Sequence, residues 1–308
     1  EVVEEVEDPV TQISLADAKM IGVRYGLGDV VQIPVESKSF GRIATQNAKN
    51  VILQKIREEE RKCLYDDWHG QEKDIVTGVV QRYLGKNISM NLGKVDAILN
   101  EAEQVKTEVF QPTERIKVYI LEVKDTPKGP RISVSRTHPD LVKRLFESEV
   151  AEVKDGTVEI RAIAREAGSR TKIAVKSNDA NVDPVGACVG LNGARVNSIV
   201  NELRGEKIDI INWDDNPAYL IENALSPAKV ICVVADEDAK EAQVIVPDYQ
   251  LSLAIGKEGQ NARLAARLTG YKIDIKSETQ AREAGLFEEM GLDYQEEGTA
   301  TYDYQEMA

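Results

Sequence analysis

The sequence predicts a multidomain α+β protein, and three observations carry that prediction. A stretch ending near Ile275 repeats one ending near Ile210, with the same glycines and the same tail. Five short runs with period-two alternation crowd into residues 67–136. A helix-period run from Ile43 to about Leu64 precedes both. The 308 residues suffice for several cores, and 42% hydrophobic with 30% charged residues excludes a disordered chain. No run of about 18 apolar residues occurs, so no helical membrane span is expected.

Taken in order, residues 1–9 read as an acidic lead. Ser14-Leu15-Ala16-Asp17 has capping-box spacing and should open a short helix that stops near Gly26. Asp29 to Val35 reads as a strand. Ile43, Ala44, Ala48, Val51, Ile52 and Ile56 then mark a long amphipathic helix, which either packs on its own small sheet or belongs to a protein-docking module. The strands of 67–136 are expected at Ile75–Tyr83, Asn87–Gly93, Val95–Leu99, Arg115–Val123 and Pro130–Ser135, an arrangement that suits a closed five-stranded OB barrel. Gly78 fits a strand bend at a barrel corner. Alternation on the fourth strand sends Ile116, Val118 and Ile120 inward and Arg115, Lys117 and Tyr119 outward. With Lys86 and Arg131 these form a stripe that could track a phosphate backbone, or simply a solvated β face. A helix follows from Pro139 to about Val150.

The duplication is the most specific signal. Its first copy reads Val189-Gly190-Leu191-Asn192-Gly193-Ala194-Arg195, then Lys207-Ile208-Asp209-Ile210. The second reads Ile255-Gly256-Lys257-Glu258-Gly259-Gln260-Asn261-Ala262-Arg263, then Lys272-Ile273-Asp274-Ile275. A β run, Lys172–Val175 or Gln243–Val246, precedes each. Strand, helix, G-x-x-G, helix, strand is the order of a KH module. Two glycines three apart permit a sharp turn and leave no Cβ against a phosphate, while the next helix offers its free N–H groups there. Arg195 and Arg263 would meet phosphate or form salt bridges across their modules.

Charge and composition narrow the chemistry. The net charge of −14 argues against nucleic acid until it is resolved by segment. Residues 67–136 hold 10 acidic and 11 basic residues, and 137–213 hold 12 and 11, so the middle is neutral. Residues 1–66 and 279–308 carry −3 and −7, and 214–278 carry −4. RNA contact should therefore lean on the barrel and the first module. Cys63, Cys188 and Cys232 are widely spaced, and His69 and His138 sit in no supporting motif, so neither disulfide, metal site nor cofactor is expected and a reducing cytoplasm fits. An exoribonuclease would need a carboxylate cluster for Mg²⁺; Asp214-Asp215 and Asp236-Glu237-Asp238 are the dense acidic pairs and triplets, and both read as solvated loops. A ribosome-associated KH protein would normally be strongly basic.

Asp183 to Gly190, Ala164 to Val175, Gly205 to Ile210, Leu251 to Gly256, Ser133 to Arg136 and Leu145-Phe146-Glu147 together resemble the NusA family of bacterial transcription elongation, termination and antitermination factors. The resemblance runs from about residue 10 to 278. It implies a partial N-terminal polymerase-docking domain over 1–66, an S-one-type OB barrel over 67–136, and KH modules with a linker helix over 137–213 and 214–278. Residues 279–308 are expected to be an acidic, disordered tail. It further implies a non-catalytic, monomeric cytoplasmic protein whose partners are single-stranded nascent RNA, core RNA polymerase and other Nus factors. Arg165, Arg170, Lys172 and Arg136 join the RNA-binding candidates by this resemblance, beside the two G-x-x-G loops with Gln260 and Asn261. The barrel has few aromatics for stacking bases, namely Tyr83, Phe110 and Tyr119.

Overall fold

The computed structural model describes residues 1–6, 8, 11–33, 42–127 and 129–289. The chain divides into two units, residues 1–60 and 61–308. In the first, β1 (Val2–Val3) pairs parallel with β2 (Ile13–Ser14), and α1 (Leu15–Ile21) follows. Ser14 caps α1 by accepting the Asp17 N–H at 3.2 Å, so the serine sets the helix start as its spacing foretells. The helix stops at Gly22, earlier than expected. No strand forms over Asp29–Ile33, and Pro34 and Val35 lie outside the described residues. The Asp29 carboxylate instead accepts the Gly26 N–H at 2.7 Å, closing a turn. The long helix α2 spans Arg42–His69, five residues beyond Leu64. Ile43, Val51, Ile52 and Ile56 are exposed along it, so among the described residues this stripe packs on no sheet.

In the second unit five strands close a barrel: β3 (Ile75–Leu84), β4 (Asn87–Asn91), β5 (Asp96–Leu99), β6 (Arg115–Lys124) and β7 (Arg131–Ser135), ordered β3-β4-β5-β7-β6. Only the β5–β7 pair is parallel among these. Val80, Ile88, Met90, Leu99, Val118, Ile120, Ile132 and Val134 fill the interior. Each such side chain stabilises by about 1.5–3 kcal/mol relative to exposure. A Cβ on Gly78 would stand 2.7 Å from Met90 Cε and 2.9 Å from Leu92 Cδ2, so a larger residue here would force those two side chains to shift. Leu64, Tyr65 and Trp68, at the end of α2, cover the barrel wall.

Next come α3 (Pro139–Glu149), α4 (Ala151–Lys154), β8 (Val158–Glu166), β9 (Arg170–Ser177), α5 (Pro184–Val189), α6 (Ala194–Glu202) and β10 (Lys207–Asn212). These form the first module. The second repeats the plan with α7 (Pro217–Ala224), β11 (Cys232–Asp236), β12 (Glu241–Val246), α8 (Leu251–Ile255), α9 (Gln260–Thr269) and β13 (Lys272–Ser277). Each sheet has three strands, with an antiparallel hairpin and a parallel third strand beside its second member. The hairpin strands β8 and β11 add to the sequence reading. Val158–Glu166 alternates, but its Ala, Arg and Glu content favours helix, which masks the strand.

The modules share a core. Ala164, Ala174 and Ile211 on the outer face of the first sheet pack with Leu220, Ala224, Leu264, Ala265 and Leu268 of α7 and α9. Tyr119 of the barrel is buried with Leu145, Phe146, Ile173 and Ile199 of the first module. The expectation of disorder after 278 fails for its first part: α10 (Glu278–Glu283) and α11 (Leu286–Glu289) form, and Ser277 with Gln280 makes a complete capping box. Ala281, Leu286 and Phe287 bury against Ile245. Residues 290–308 lie outside the described residues.

Candidate nucleic-acid interface

The two G-x-x-G turns are the same object twice. Gly190, Asn192 and Gly193 have φ, ψ of 73°, 175°; 52°, 28°; and 74°, 14°. Gly256, Glu258 and Gly259 have 76°, 173°; 54°, 26°; and 73°, 16°. In each turn the second glycine donates its N–H to the first at 3.1 Å. Positive φ alone favours glycine, and space adds to it: a Cβ on Gly190 would meet Arg195 Cγ at 2.8 Å, and one on Gly256 would meet Asn261 N at 2.9 Å. Neither α6 nor α9 has a side-chain N-cap: the first amide of each is held by a turn carbonyl, Ala194 N–H by Leu191 and Gln260 N–H by Lys257, and the positive dipole end of each helix faces the turn.

Those same contacts correct the sequence alignment of the arginines. Arg195 is structurally equivalent to Asn261, not to Arg263. Arg195 lays its carbons over Gly190 and sends its guanidinium to Glu152 at 3.0 Å and to the Ala187 carbonyl at 2.7 Å. It is a strut between α6 and α4. Asn261 is buried and donates to the Leu225 and Ala254 carbonyls at 3.0 Å, while its Oδ1 has no partner among the described residues. Arg263 pairs with Glu166 of the first module at 2.6 Å, and Gln260 donates to Glu166 and Ser169 at 2.8 and 2.7 Å. The Glu166 carboxyl is held below its usual range by the Arg263 hydrogen bond, against its burial.

Three further candidates are interior groups, which corrects their assignment to an RNA surface. Arg136 is fully buried and serves Glu108, the Lys117 carbonyl at 2.8 Å and the Glu202 carbonyl at 3.0 Å, joining barrel to first module. Arg165 forms a buried bidentate pair with Glu206, both bonds 2.9 Å. Burial pushes the Glu206 carboxyl up, but Arg165, Thr171 and the Gly168 N–H together hold it below its ordinary value. Lys172 is fully buried, its Nζ 2.7 Å from the Ser226 carbonyl and 3.3 Å from Asp209. Burial lowers its pKa, with Asp209 opposing.

The barrel stripe is also less available than alternation suggests. Tyr119 is buried, stacked on His138 at 4.6 Å, with its hydroxyl 3.2 Å from Asp140. The β6 bulge after Ile120 and the docked α3 turn that outward face into an interface. Lys117 faces Glu149 at 3.9 Å, and Lys86 pairs with Glu101 at 2.9 Å. Phe110 is buried beneath Arg136 and Arg204, and Tyr83 gives its hydroxyl to the Phe110 carbonyl at 2.9 Å. Arg115 and Arg131 remain exposed.

Cations gather instead beside the second turn. A groove of about 350 Å³ brings Arg170 and Lys207 of the first module against Gly256, Lys257 and Leu253 of the second. Arg170 is ion-paired with Asp209 at 2.7 Å, whereas Lys207 is exposed. A second groove, about 660 Å³, runs along Ile210 and Asn212 to Lys229. Pro227 lines both, so they adjoin. Both grooves lie along the seam between the modules. Lys207 opens the shared Lys-Ile-Asp-Ile tail, and that repetition was its available signal. Leu191 (85% exposed), Asn192 and Glu258 occupy turn positions without a basic group. Among the described residues no group of three His, Cys, Asp or Glu could hold a metal ion, and no helix is long and apolar enough to cross a membrane.

Duplicated sheets, paired turns and a shared core define a tandem KH protein. Family models agree: the NusA-like first KH domain matches residues 136–213, the NusA-like second KH domain 217–283, and the NusA N-terminal domain 1–62. The transcription termination/antitermination protein NusA of Bacillus subtilis (strain 168) is 58% identical over 287 residues, covering 93% of this chain and 77% of that protein. That of Thermus thermophilus is 44% identical over 276 residues, 89% and 71% of the two chains. That of Mycobacterium tuberculosis H37Rv is 49% identical over 250 residues, 78% and 72%. The chain belongs to the NusA family.

Proposed function

We propose that this chain regulates transcription termination and antitermination by holding single-stranded nascent RNA while bound to core RNA polymerase, with other Nus factors as further partners. In this reading residues 1–66 dock on polymerase, 67–136 form an S-one-type OB barrel, and 137–213 and 214–278 are the KH modules. It acts in the cytoplasm without catalysis. The observation that carries it is the pair of matching G-x-x-G turns, each at a helix start uncapped by side chains, with a seam of adjoining grooves across Pro227. RNA would pass from Asn212 over Pro227 to Lys257. Backbone N–H groups and Lys207, Lys229 and Lys257 would take phosphates, and Leu253 would face a base.

Fluorescence anisotropy of the full chain with a labelled single-stranded RNA tests this. Lys257→Glu should weaken affinity about tenfold or more with an unchanged melting temperature, and Lys207→Ala should reduce the salt slope by about 0.7. Absent or salt-independent binding would overturn the RNA reading; failure of the chain's full-length relative to co-purify with core polymerase would overturn the docking reading.

A further inference from the structure

The duplication allows the two sheets to be compared position by position. Strand pairing places Glu166, Arg170 and Lys207 of the first sheet in one row, Ala164, Lys172 and Asp209 in the next, and Ala162, Ala174 and Ile211 in the third. The corresponding rows of the second sheet are Asp236, Glu241, Lys272; then Val234, Gln243, Asp274; then Cys232, Ile245, Lys276. Side chains of one row point to the same face. In the first sheet this face is closed. Its third row packs with the α7–α9 core, and its first row receives α9 through Gln260 and Arg263, with Arg267 at 3.7 Å, all converging on Glu166.

In the second sheet only the third row is closed, by α10 and α11 against Ile245 and Cys232. The first and second rows line an open groove of about 640 Å³ that includes Val234, Asp236, Glu241, Gln243 and Asp274. Val234 is 45% exposed there. The open part coincides with the position α9 fills on the first sheet, and Asp236 stands where Glu166 does. Of its three carboxylates, Glu241 pairs with Lys272 at 2.9 Å and Asp274 with Lys276 at 3.5 Å, which leaves Asp236 as the carboxylate without a lysine partner among the described residues.

We infer that this groove is a docking site for one amphipathic helix of a partner protein, carrying arginine or lysine at positions i and i+4 with small apolar residues between, as Arg263, Leu264, Ala265 and Arg267 are carried on α9. Two observations select that occupant: continuity with the intrachain interface that already uses this face, and the charge of Asp236 at the place of Glu166, which on the first sheet receives Arg263 and Arg267. Like charge disfavours residues 290–308, which hold five acidic residues and no lysine or arginine. α10 and α11 leave space for a helix but cover the row that a whole second module would need.

The test uses the full 308-residue chain, ¹⁵N-labelled, and a stapled peptide copying Gln260–Thr269 as the probe. The expected result is saturable binding with shifts on β11, β12 and β13. Asp236→Lys and Val234→Glu in the chain should each weaken it at least tenfold, as should a peptide with both arginines replaced by glutamate. RNA affinity and melting temperature should be unchanged in Val234→Glu. No saturable binding overturns the inference, as do shifts confined to β8 and β9 or to the G-x-x-G turns. Dimerisation of the chain that Val234→Glu abolishes would make a second copy the occupant, and also overturns it.

Discussion

At the scale of single residues, the same side-chain type takes opposite roles according to burial. Arg165 and Glu206 form a dry pair whose removal by halves is costly: Arg165→Met leaves Glu206 charged and buried. The expected loss is about 3–5 kcal/mol in urea unfolding, whereas replacing both partners by apolar residues should recover most of it. A loss below about 1 kcal/mol for the single variant would show that water reaches Glu206. Gly256→Ala belongs to a different mechanism. Its φ of 76° and the 2.9 Å approach to Asn261 predict a loss of about 1–2 kcal/mol, so glycine substitutions perturb the fold along with the proposed RNA contact. That is why Lys257 and Lys207 are the cleaner probes of binding.

Elements were legible where local rules decide them. The G-x-x-G turns, the Ser14 cap and the alternation of β3 to β7 all follow from glycine geometry, capping and pleat. What the sequence hid was long-range. Arg136, Arg165 and Lys172 stood as RNA-binding candidates by resemblance, and only the tertiary fold shows them buried on distant partners: Glu108 and Glu202 for Arg136, Glu206 for Arg165, and Asp209 and the Ser226 carbonyl for Lys172. Tyr119 read as outward on an isolated barrel, where it would be; α3 covers that side. The contact of α9 with β8 is the decisive such element pair, since Glu166 gathers Gln260, Arg263 and Arg267. A double-mutant cycle of Glu166→Ala and Arg263→Ala should give a small favourable coupling for this solvent-screened pair, diminishing in high salt. Zero coupling at low salt would assign the interface to apolar packing alone.

For the whole molecule, the shared cores make the barrel and both modules one thermodynamic body. Heat should unfold residues 61–289 in a single transition by calorimetry; separate barrel and module transitions would contradict that. Acid sensitivity follows from the carboxylates. Glu206, Glu166 and Glu114 have folded values below the ordinary 4.5. Their contribution is therefore fully present above about pH 4.5 and is lost as pH falls through the lower folded values. Lys172, lowered by burial, acts at the other end: the unfolded chain holds that proton longer, so stability rises with pH toward its ordinary 10.5. Urea midpoints at pH 7, 4.5 and 3 check the acid side, and a midpoint at pH 3 equal to that at pH 7 would refute it.

The module-to-module contact is head-to-tail: the helices of one repeat seat on the sheet of the one before, and nothing in such an operation limits it to a single step. Repetition of that kind grows open fibres unless the last unit is spoiled for it. Here the spoiling is visible in two rows of side chains. Where the first sheet offers Ala162, Ala164 and Ala174, the second offers Cys232, Val234 and Ile245, all bulkier, with Cys232 and Ile245 covered by α10 and α11. A chain with alanines at those three positions and α10 and α11 deleted should expose an adhesive end and form concentration-dependent oligomers by light scattering.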